Sequence, residues 1–239
     1  MRKFWFDGQC STDFGMMATG SGTFNAPERD METISVAGRS GDLIRDNGRY
    51  KNIPVSYPIA ICKDFPEKAD AARAWLLSKS DYCRLEDGYN PDTYRMAMFK
   101  GPVDFDVSFL NRTGETTLKF DCKPQRYLKS GEHPILMDTA GVLWNPTLFP
   151  ALPLITVYGS GSGELTVGDI VVKIKAIDGH IVLDSEMQDA YRVAESGALE
   201  NKNGSIYAPV FPQLPAGETA VSWTGELTHI EIIPRWWTL

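Results

Sequence analysis

The sequence predicts a mainly β protein in two parts, an α+β domain that contains one helix and an all-β sandwich that follows it. Apolar and polar residues alternate in short runs along most of the chain, as they do from Ile53 to Ile61, and this period of two is typical of strands with one buried face. A helical period is sustained between Asp64 and Lys79. After Asn145 the runs are short, separated by Gly and Pro turns and free of helical period, which predicts the sandwich.

The helix has recognisable start signals. Asp64 can serve as the N-cap, Pro66 suits the first turn, and Glu67 stands three residues after the cap. We expect the helix to end at Ser78 or Lys79 and to cover a sheet with one apolar face. That face is expected to consist of Ala69, Ala72, Trp75, Leu76 and Leu77.

The strands of the first domain are expected on both sides of this helix. They are residues 3–7, 53–61, 82–85, 94–100, 103–109 and 115–122. Residues 129–145 contain scattered Gly and Pro and no sustained period, so we interpret them as the linker and the entry to the second domain. The predicted domains are therefore residues 1–130 and 131–239.

The second domain is expected to consist of short strands. They are residues 154–158, 164–167, 170–177, 180–183, 220–223 and 227–233. Asp178-Gly179 fits a type I′ hairpin turn. The glycine-rich run from Gly159 to Gly163 resembles a phosphate loop, but it lacks the following Lys-Ser or Lys-Thr and leads into a strand, so we predict a hairpin connection.

The stretch from Pro27 to Ile61 organises the first domain. Ile34 and Val36 share one parity and predict a strand with one buried face that runs into Gly38, and Asn47-Gly48 predicts a turn. The segment between them is too highly charged to be buried, so we expect it to project. It is either a solvated loop or a contact loop in which Arg side chains meet carboxylates of another subunit, and residue patterns alone leave both open.

Composition narrows the function. The formal net charge of -7 argues against general binding to nucleic acid or to an anionic membrane surface, because both need a basic face. The sequence shows no signal-peptide pattern and no apolar run of about 18 residues, so we expect a soluble protein that is not exported. The scattered cysteines are expected to be free thiols.

Sites for catalysis or metal binding are weakly indicated. His133, His180 and His229 lack nearby second ligands, and Asp178, His180 and Ser185 are expected to be held apart by a hairpin. Asp104 and Asp106 share one strand face, and a solvated face explains them better than a pair of glycosidase carboxylates. Asp42, Asp46 and Asn47 could supply oxygens to calcium, but their spacing does not match an EF-hand loop. We therefore predict no enzymatic activity, no cofactor and no metal.

The run PERDMETISVAGRSGDLIRDNGRYKNIPVSYPIAI, an Ala-rich helix, then FDCKPQRYL and GELTHIEIIPRWW resemble the distal tail protein of siphovirus-type bacteriophages, also found as a prophage tail component. The most specific piece runs from Val36 to Leu43. The resemblance implies a ring-forming N-terminal β domain with one helix and a C-terminal galectin-like β-sandwich. It also implies a hexameric ring at the tail tip of the virion, made in the cytoplasm of the bacterial host. The implied partners are the tail tube protein, the tail-associated or hub protein and the receptor-binding protein, with no nucleic acid and no membrane.

Two sets of residues follow as site hypotheses. The assembly-interface candidates are Arg39, Asp42, Leu43, Arg45 and Arg49. The alternative function is a carbohydrate-binding adhesion module for host recognition, in which Trp223 and Trp236 stack against sugar rings. The galectin set of His, Asn and Arg is not recognisable, so packing of these aromatic residues at the sheet ends is the favoured use. A hydrolase is a further alternative, for which the sequence offers no assembled site.

Overall fold

The computed structural model of the protein describes residues 3–22, 24–108 and 110–239. The chain divides into two compact units, one reaching Arg126 and including Leu239, the other running from Tyr127 to Thr238. Strands dominate both units, as the sequence predicts. None of the helices among the described residues has the length and apolar character needed to cross a membrane.

The first unit has one main sheet. Its elements, with those of the neighbouring hairpin, are β1 (Phe4–Phe6), β2 (Gln9–Cys10), β3 (Met16–Ala18), β4 (Arg29–Ile34), β5 (Leu43–Tyr50), β6 (Ile53–Ile61), α1 (Phe65–Leu77), β7 (Cys83–Asp87), β8 (Thr93–Phe99), β9 (Asp106–Ser108) and β10 (Thr113–Leu128). The sheet order is β2-β1-β7-β8-β10-β6-β3, and β9 pairs with β10. β4 and β5 form a separate two-stranded sheet. The strand predicted for 103–109 is shorter than expected, and Phe109 lies outside the described residues.

The predicted helix is confirmed as α1, but its start differs in detail. Asp64 occupies the N-cap with φ 49° and its side chain makes no capping hydrogen bond. The first helical bond instead runs from the Lys68 N–H to the Asp64 carbonyl, at 3.0 Å. Leu77 is 53% exposed, so the predicted apolar face ends one residue earlier, at Leu76.

Aromatic rings fill the core between α1 and the main sheet. The Phe4 ring stacks on Tyr57 at 4.9 Å between centroids, and Phe6 packs against Phe120 at 5.2 Å. Trp75 of α1 stacks on Phe4 at 5.9 Å. Each such pair stabilises the fold by about 0.5–1.5 kcal/mol beyond the apolar area that it buries. Trp75 of α1 therefore joins a set of packed rings on the sheet, beside the buried Ala69, Ala72 and Leu76 of the same helix.

The second unit is built from strands. They are β11 (Ile135–Met137), β12 (Gly141–Asn145), β13 (Leu154–Val167), β14 (Ile170–Asp184), β15 (Asp189–Val193), β16 (Leu199–Asn201), β17 (Ile206–Tyr207), β18 (Gly217–Ile233) and β19 (Trp237–Thr238). Hydrogen bonds order β11 to β18 in one sheet as β11-β18-β13-β14-β15-β16, with β12 on β18 and β17 on β14. The prediction of a linker over 129–145 was wrong, because β11 and β12 lie there and pair with β18. β11 has only three residues, too few to show a period of two, and the Gly and Pro residues spread through the segment also occur in linkers.

Three long strands give this unit its layers. The first half of β18 pairs with β12 and its second half with β11, while β14 pairs first with β17 and then with β15. Register shifts interrupt β13 between Gly159 and Gly163, where the strands bend. Buried residues on both sides of the bend belong to one core, so the bent strands form a sandwich around it.

The glycine run is part of a strand and not a hairpin connection, contrary to the prediction. A Cβ on Gly159 would lie 2.5 Å from the Glu226 carbonyl oxygen, and one on Gly163 would lie 2.4 Å from that of Thr224. The backbones of β13 and β18 approach too closely here for any side chain. The predicted turn at Asp178-Gly179 is also wrong, since Gly179 pairs with Gly159 inside the β13–β14 ladder.

Candidate assembly surface

The hairpin formed by β4 and β5 is exposed along nearly its whole length. Ile34 pairs with Leu43 next to the loop, Thr33 with Ile44, and Glu32 with Arg45. The connecting loop, residues 35–42, is exposed along its whole length. Gly38 and Gly41 turn the chain there with φ values of 78° and 82°, which glycine adopts without steric cost.

The predicted turn at Asn47-Gly48 is wrong, because this dipeptide lies within β5. The register shifts here, because three residues of β5, 47–49, stand opposite Asp30 alone, and the extra residues form a bulge. Gly48 has φ 70°, and its N–H donates to Asp46 Oδ1 at 2.8 Å. The same tolerance of positive φ that makes Asn-Gly a good turn also suits a bulge, so the dipeptide alone does not distinguish them.

The hairpin carries apolar side chains on a surface without a core beneath it. Ile34 and Val36, which the alternation placed on a buried face, are 47% and 39% exposed. The exposed apolar residues of the hairpin and its loop are Met31, Ile34, Val36, Leu43 and Ile44. Isolated two-stranded hairpins are at best marginally stable in water. Ile34 and Leu43 share one face of this hairpin and Met31 and Ile44 the other, so both faces present exposed apolar side chains to a partner. The period of two indicated a strand here, but β4 ends at Ile34, before Val36 and Gly38, and the predicted burial of its face is wrong.

Ion pairs tie the two strands together and occupy two of the predicted interface residues. Arg49 Nε lies 2.7 Å from Asp30 Oδ2, and Arg45 lies 3.7 Å from Glu32. The Arg49 hydrogen bond also lowers the pKa of Asp30. Arg45, Glu32 and Arg49 are well exposed, although Asp30 is only 17% exposed, so solvent screens the pairs and each contributes little stability. Arg45 and Arg49 therefore help to shape the hairpin, a use that the sequence did not reveal.

The base of the hairpin is closed by a further contact. Arg29 donates to Asp46 Oδ2 at 2.7 Å and to the Tyr50 hydroxyl at 2.9 Å. The pKa of Asp46 is lowered, first by the hydrogen bond from the Gly48 N–H and then by Arg29. Asp46 thus joins the bulge to the opposite strand.

Three of the five interface candidates remain available on the hairpin. Arg39 and Asp42 lie in the loop, where neither makes an ion pair with any residue that the structure describes, and Leu43 is 40% exposed. Protein–protein interfaces combine an apolar centre with a polar rim, so apolar side chains beside charges without an ion pair have the composition expected of an interface. The role of these residues in assembly stays a prediction.

The two tryptophans proposed for sugar stacking lie against the second core. Trp236 is 5% exposed, so its ring faces are covered by protein, and Trp223 is only partly buried against the same core. Trp144, by contrast, is 63% exposed. An open ring face is needed for stacking, and Trp236 does not present one.

The weak catalytic candidates are not gathered into a site. Asp178 has a fully exposed side chain, whereas the Ser185 hydroxyl is buried and has no hydrogen-bond partner among the described residues. His180 packs instead beside Tyr158, 5.9 Å between ring centroids. Outside the four undescribed residues, no three His, Cys, Asp or Glu side chains cluster as metal ligands.

No family model matches the chain, and no curated protein matches it in sequence. Among solved structures, it is similar to the SPP1 Dit (gp 19.1) protein, described as a paradigm of the hub adsorption apparatus in phages that infect Gram-positive bacteria. The TM-score is 0.75 at 15% sequence identity, and the match covers 100% of both chains. The sequence resembles distal tail proteins of phages, and the structure is similar to a phage hub protein. The chain has the fold of SPP1 Dit over its whole length.

Proposed function

We propose that this chain is a structural protein of a bacteriophage tail tip, a distal tail protein that acts through assembly and not through catalysis. The observation that carries the proposal is the similarity of fold to SPP1 Dit, a hub protein of a phage adsorption apparatus, across the full length of both chains. A match to a local motif alone would not cover the full length of both chains, as this similarity does. The sequence resemblance over nearly the same extent supports the same role.

The proposed assembly is a hexameric ring. Residues 1–130 form the ring, and residues 131–239, the galectin-like sandwich, lie outside the ring-forming part. A cyclic ring needs heterologous contacts, in which one surface of a subunit meets a different surface of its neighbour. The β4–β5 hairpin supplies one such surface, since it presents Ile44 at 69% exposure and the loop charges Arg39 and Asp42. A ring contact would cover the apolar residues that the isolated chain leaves in water.

The proposed partners are the tail tube protein, the tail-associated or hub protein and the receptor-binding protein. The location is the tail tip of the virion, after synthesis in the cytoplasm of the bacterial host. A formal net charge of -7 disfavours nucleic acid and anionic lipid as partners. Joining these proteins requires shaped surfaces and no chemical step.

Sedimentation across a concentration series, with negative-stain images, tests the ring. We expect the wild-type chain to form larger species as concentration rises, and the images to show six-fold annuli. Reversing the loop charges with Arg39→Glu and Asp42→Lys should shift assembly to higher concentration, because like charges would then face each other. The matched control reverses an exposed ion pair of the second unit, Glu164→Lys with Lys173→Glu, and should assemble as the wild type does.

Two outcomes would contradict the proposal. A chain that stays monomeric at every concentration and shows no annuli on tail tubes would contradict the ring. A double variant that assembles with the same concentration dependence as the control would remove the loop charges from the contact. In that case the ring would remain, and the contact would lie on another surface.

A further inference from the structure

A cavity of about 240 Å³ opens on the second unit, against β14. Its floor is apolar, formed by Ile177 and Ile181. Its polar lining comes from Asp178 and His180 of β14, Arg192 of β15, and Lys202 and Ser205 of the following segment. The assembly function proposed above does not involve this cavity.

Arg192 lines the cavity with an incompletely satisfied guanidinium group. Its Nε is buried and has no hydrogen-bond partner within the described part of the chain. Its nearest carboxylate is that of Asp178, with Oδ2 at 3.7 Å from Nη1, and this carboxylate is fully exposed. A guanidinium group offers a planar fork of donors, and the long contact to Asp178 leaves that fork underused.

Lys202 brings a second cation to the same cavity. Its Nζ lies 3.0 Å from Glu200 Oε2, an exposed pair at the rim that solvent screens. The Ser205 hydroxyl adds a donor that can rotate toward a bound group. A guanidinium fork, an ammonium and a hydroxyl around one space are the groups that recognise phosphate and carboxylate oxygens. This arrangement stands out on a chain whose formal net charge is -7.

We propose that this cavity binds an oxyanion, a phosphate or carboxylate group carried by a small organic molecule. The anion accepts hydrogen bonds from the Nη groups of Arg192 and from the Lys202 ammonium group. The apolar floor of Ile177 and Ile181 accommodates the organic group that bears the anion. The volume of the cavity, about 240 Å³, suits a small molecule, because drug-sized ligands occupy larger pockets of about 300–1,000 Å³.

Titration of the full-length chain with inorganic phosphate tests the site. The ¹H–¹⁵N signal of the Arg192 Nε–H group reports binding at the Nη groups of the same guanidinium, and titrations with acetate and with chloride serve as separate arms. We expect the Arg192 Nε–H signal to shift in a saturable manner with phosphate, with acetate or with both, and not with chloride at equal ionic strength. The arm that saturates at lower concentration identifies the class of ligand.

Variants separate the site from general charge effects. Arg192→Gln should weaken binding about tenfold or more, since charge-assisted hydrogen bonds are lost. Asp178→Asn should tighten binding by about twofold to fivefold, because it removes the competing carboxylate. Lys173→Gln, an exposed cation elsewhere on β14, should change binding less than about twofold.

The opposite directions of the two site variants keep the proposal open to contradiction even if one of them folds poorly. No saturable shift of the Arg192 signal with either anion would overturn it. So would an Asp178→Asn variant that binds phosphate and acetate no better than the wild type. Equal loss of binding in Lys173→Gln and Arg192→Gln would reduce the effect to diffuse charge and would also overturn it.

Discussion

Arg235 and Asp184 form a bidentate ion pair, with Nη1 2.8 Å from Oδ1 and Nη2 3.1 Å from Oδ2. Asp184 is the last residue of β14 and is 3% exposed, while Arg235 follows β18 with φ 57°. The backbone N–H groups of Glu186 and Met187 donate to the same carboxylate, at 3.0 and 3.2 Å. The pair therefore joins the ends of two long strands of the second unit and satisfies a carboxylate that the fold buries.

Replacing Arg235 with Met should lower the free energy of unfolding of the second unit. The change leaves the Asp184 carboxylate buried without its cation, and breaking a buried pair from one side costs about 3 kcal/mol. Urea unfolding followed by tryptophan fluorescence measures the difference. Lys173→Gln is the exposed control and should stay within about 0.5 kcal/mol of the wild type. A loss no larger than that of the control would contradict the role of the pair.

The same pair predicts how stability depends on pH. Burial alone would raise the pKa of Asp184, but the hydrogen bonds from Arg235 and the Met187 N–H outweigh it and lower the pKa. A folded pKa below the unfolded value of about 3.9 stabilises the fold above that value, and the stabilisation is lost as pH falls through the folded pKa. The stability difference between wild type and Asp184→Asn should be largest near neutral pH and shrink below about pH 4. A difference that stays constant from neutral to acid pH would contradict this account.

Gly163→Ala should destabilise the bend in β13. An added Cβ would lie 2.4 Å from the Thr224 carbonyl oxygen, so the backbones of β13 and β18 must separate. Overpacking of this kind costs about 1–3 kcal/mol. The control is Gly204→Ala, where no atom lies within 4 Å of the added Cβ, and its effect should be within about 0.5 kcal/mol. Similar unfolding midpoints for the two variants would show that the close approach does not require glycine.

The cysteines should differ in reactivity according to burial. Desolvation raises the pKa of Cys122 to about 12, and its side chain is fully buried, whereas Cys62 is exposed. A thiol reagent such as Ellman's reagent should modify Cys62 in the folded chain and Cys122 only after urea unfolding, since the thiolate is the reactive form. Mass spectrometry of modified peptides identifies the sites. Modification of both at equal rates in the folded chain would contradict the burial of Cys122.

The sequence predicted α1 well because two independent signals agreed there. Asp64, Pro66 and Glu67 mark a start, and Ala69, Ala72 and Trp75 follow the helical period. The strands predicted for residues 154–183 and 220–233 of the second unit are also confirmed, but the turns predicted between them are wrong, because glycines signal both turns and close backbone approach. Gly159 and Gly179 carry turn signals, yet they face each other inside a ladder. To tell a turn glycine from a glycine at a close backbone approach, one must know which strand lies beside it, and the local sequence does not give this information.

The sequence predicted where the candidate surface lies, but it did not predict the exposed apolar residues or the ion pairs of that surface. Charge density indicated correctly that residues 38–49 are exposed. The alternation of Ile34 and Val36 indicated burial, because a period of two does not report what lies against a strand face. The cross-strand partners Asp30 and Glu32, which occupy Arg49 and Arg45, depend on register. Register is fixed here by the bulge at Gly48, a feature that local pattern did not distinguish from a turn.

The apolar residues of the hairpin give the sharpest separation between folding and assembly. Ile44 is 69% exposed and pairs with Thr33, so Ile44→Thr keeps a β-branched residue in β5 and removes an exposed methyl-rich side chain. The free energy of unfolding should change by less than about 0.5 kcal/mol, as for other exposed positions. If Ile44 is covered in a ring, the loss of about 1 kcal/mol of burial should weaken each contact about fivefold.

Val142→Thr is the matched control, because Val142 is 60% exposed on β12 in the other unit. Sedimentation velocity at several concentrations compares the two variants with the wild type. Because every subunit of a closed ring makes the same contact, the weakening repeats around the ring, and the concentration at half assembly should rise for Ile44→Thr alone. Equal assembly of both variants would place the hairpin face that carries Ile44 and Met31 outside the contact, even if the loop charges act within it.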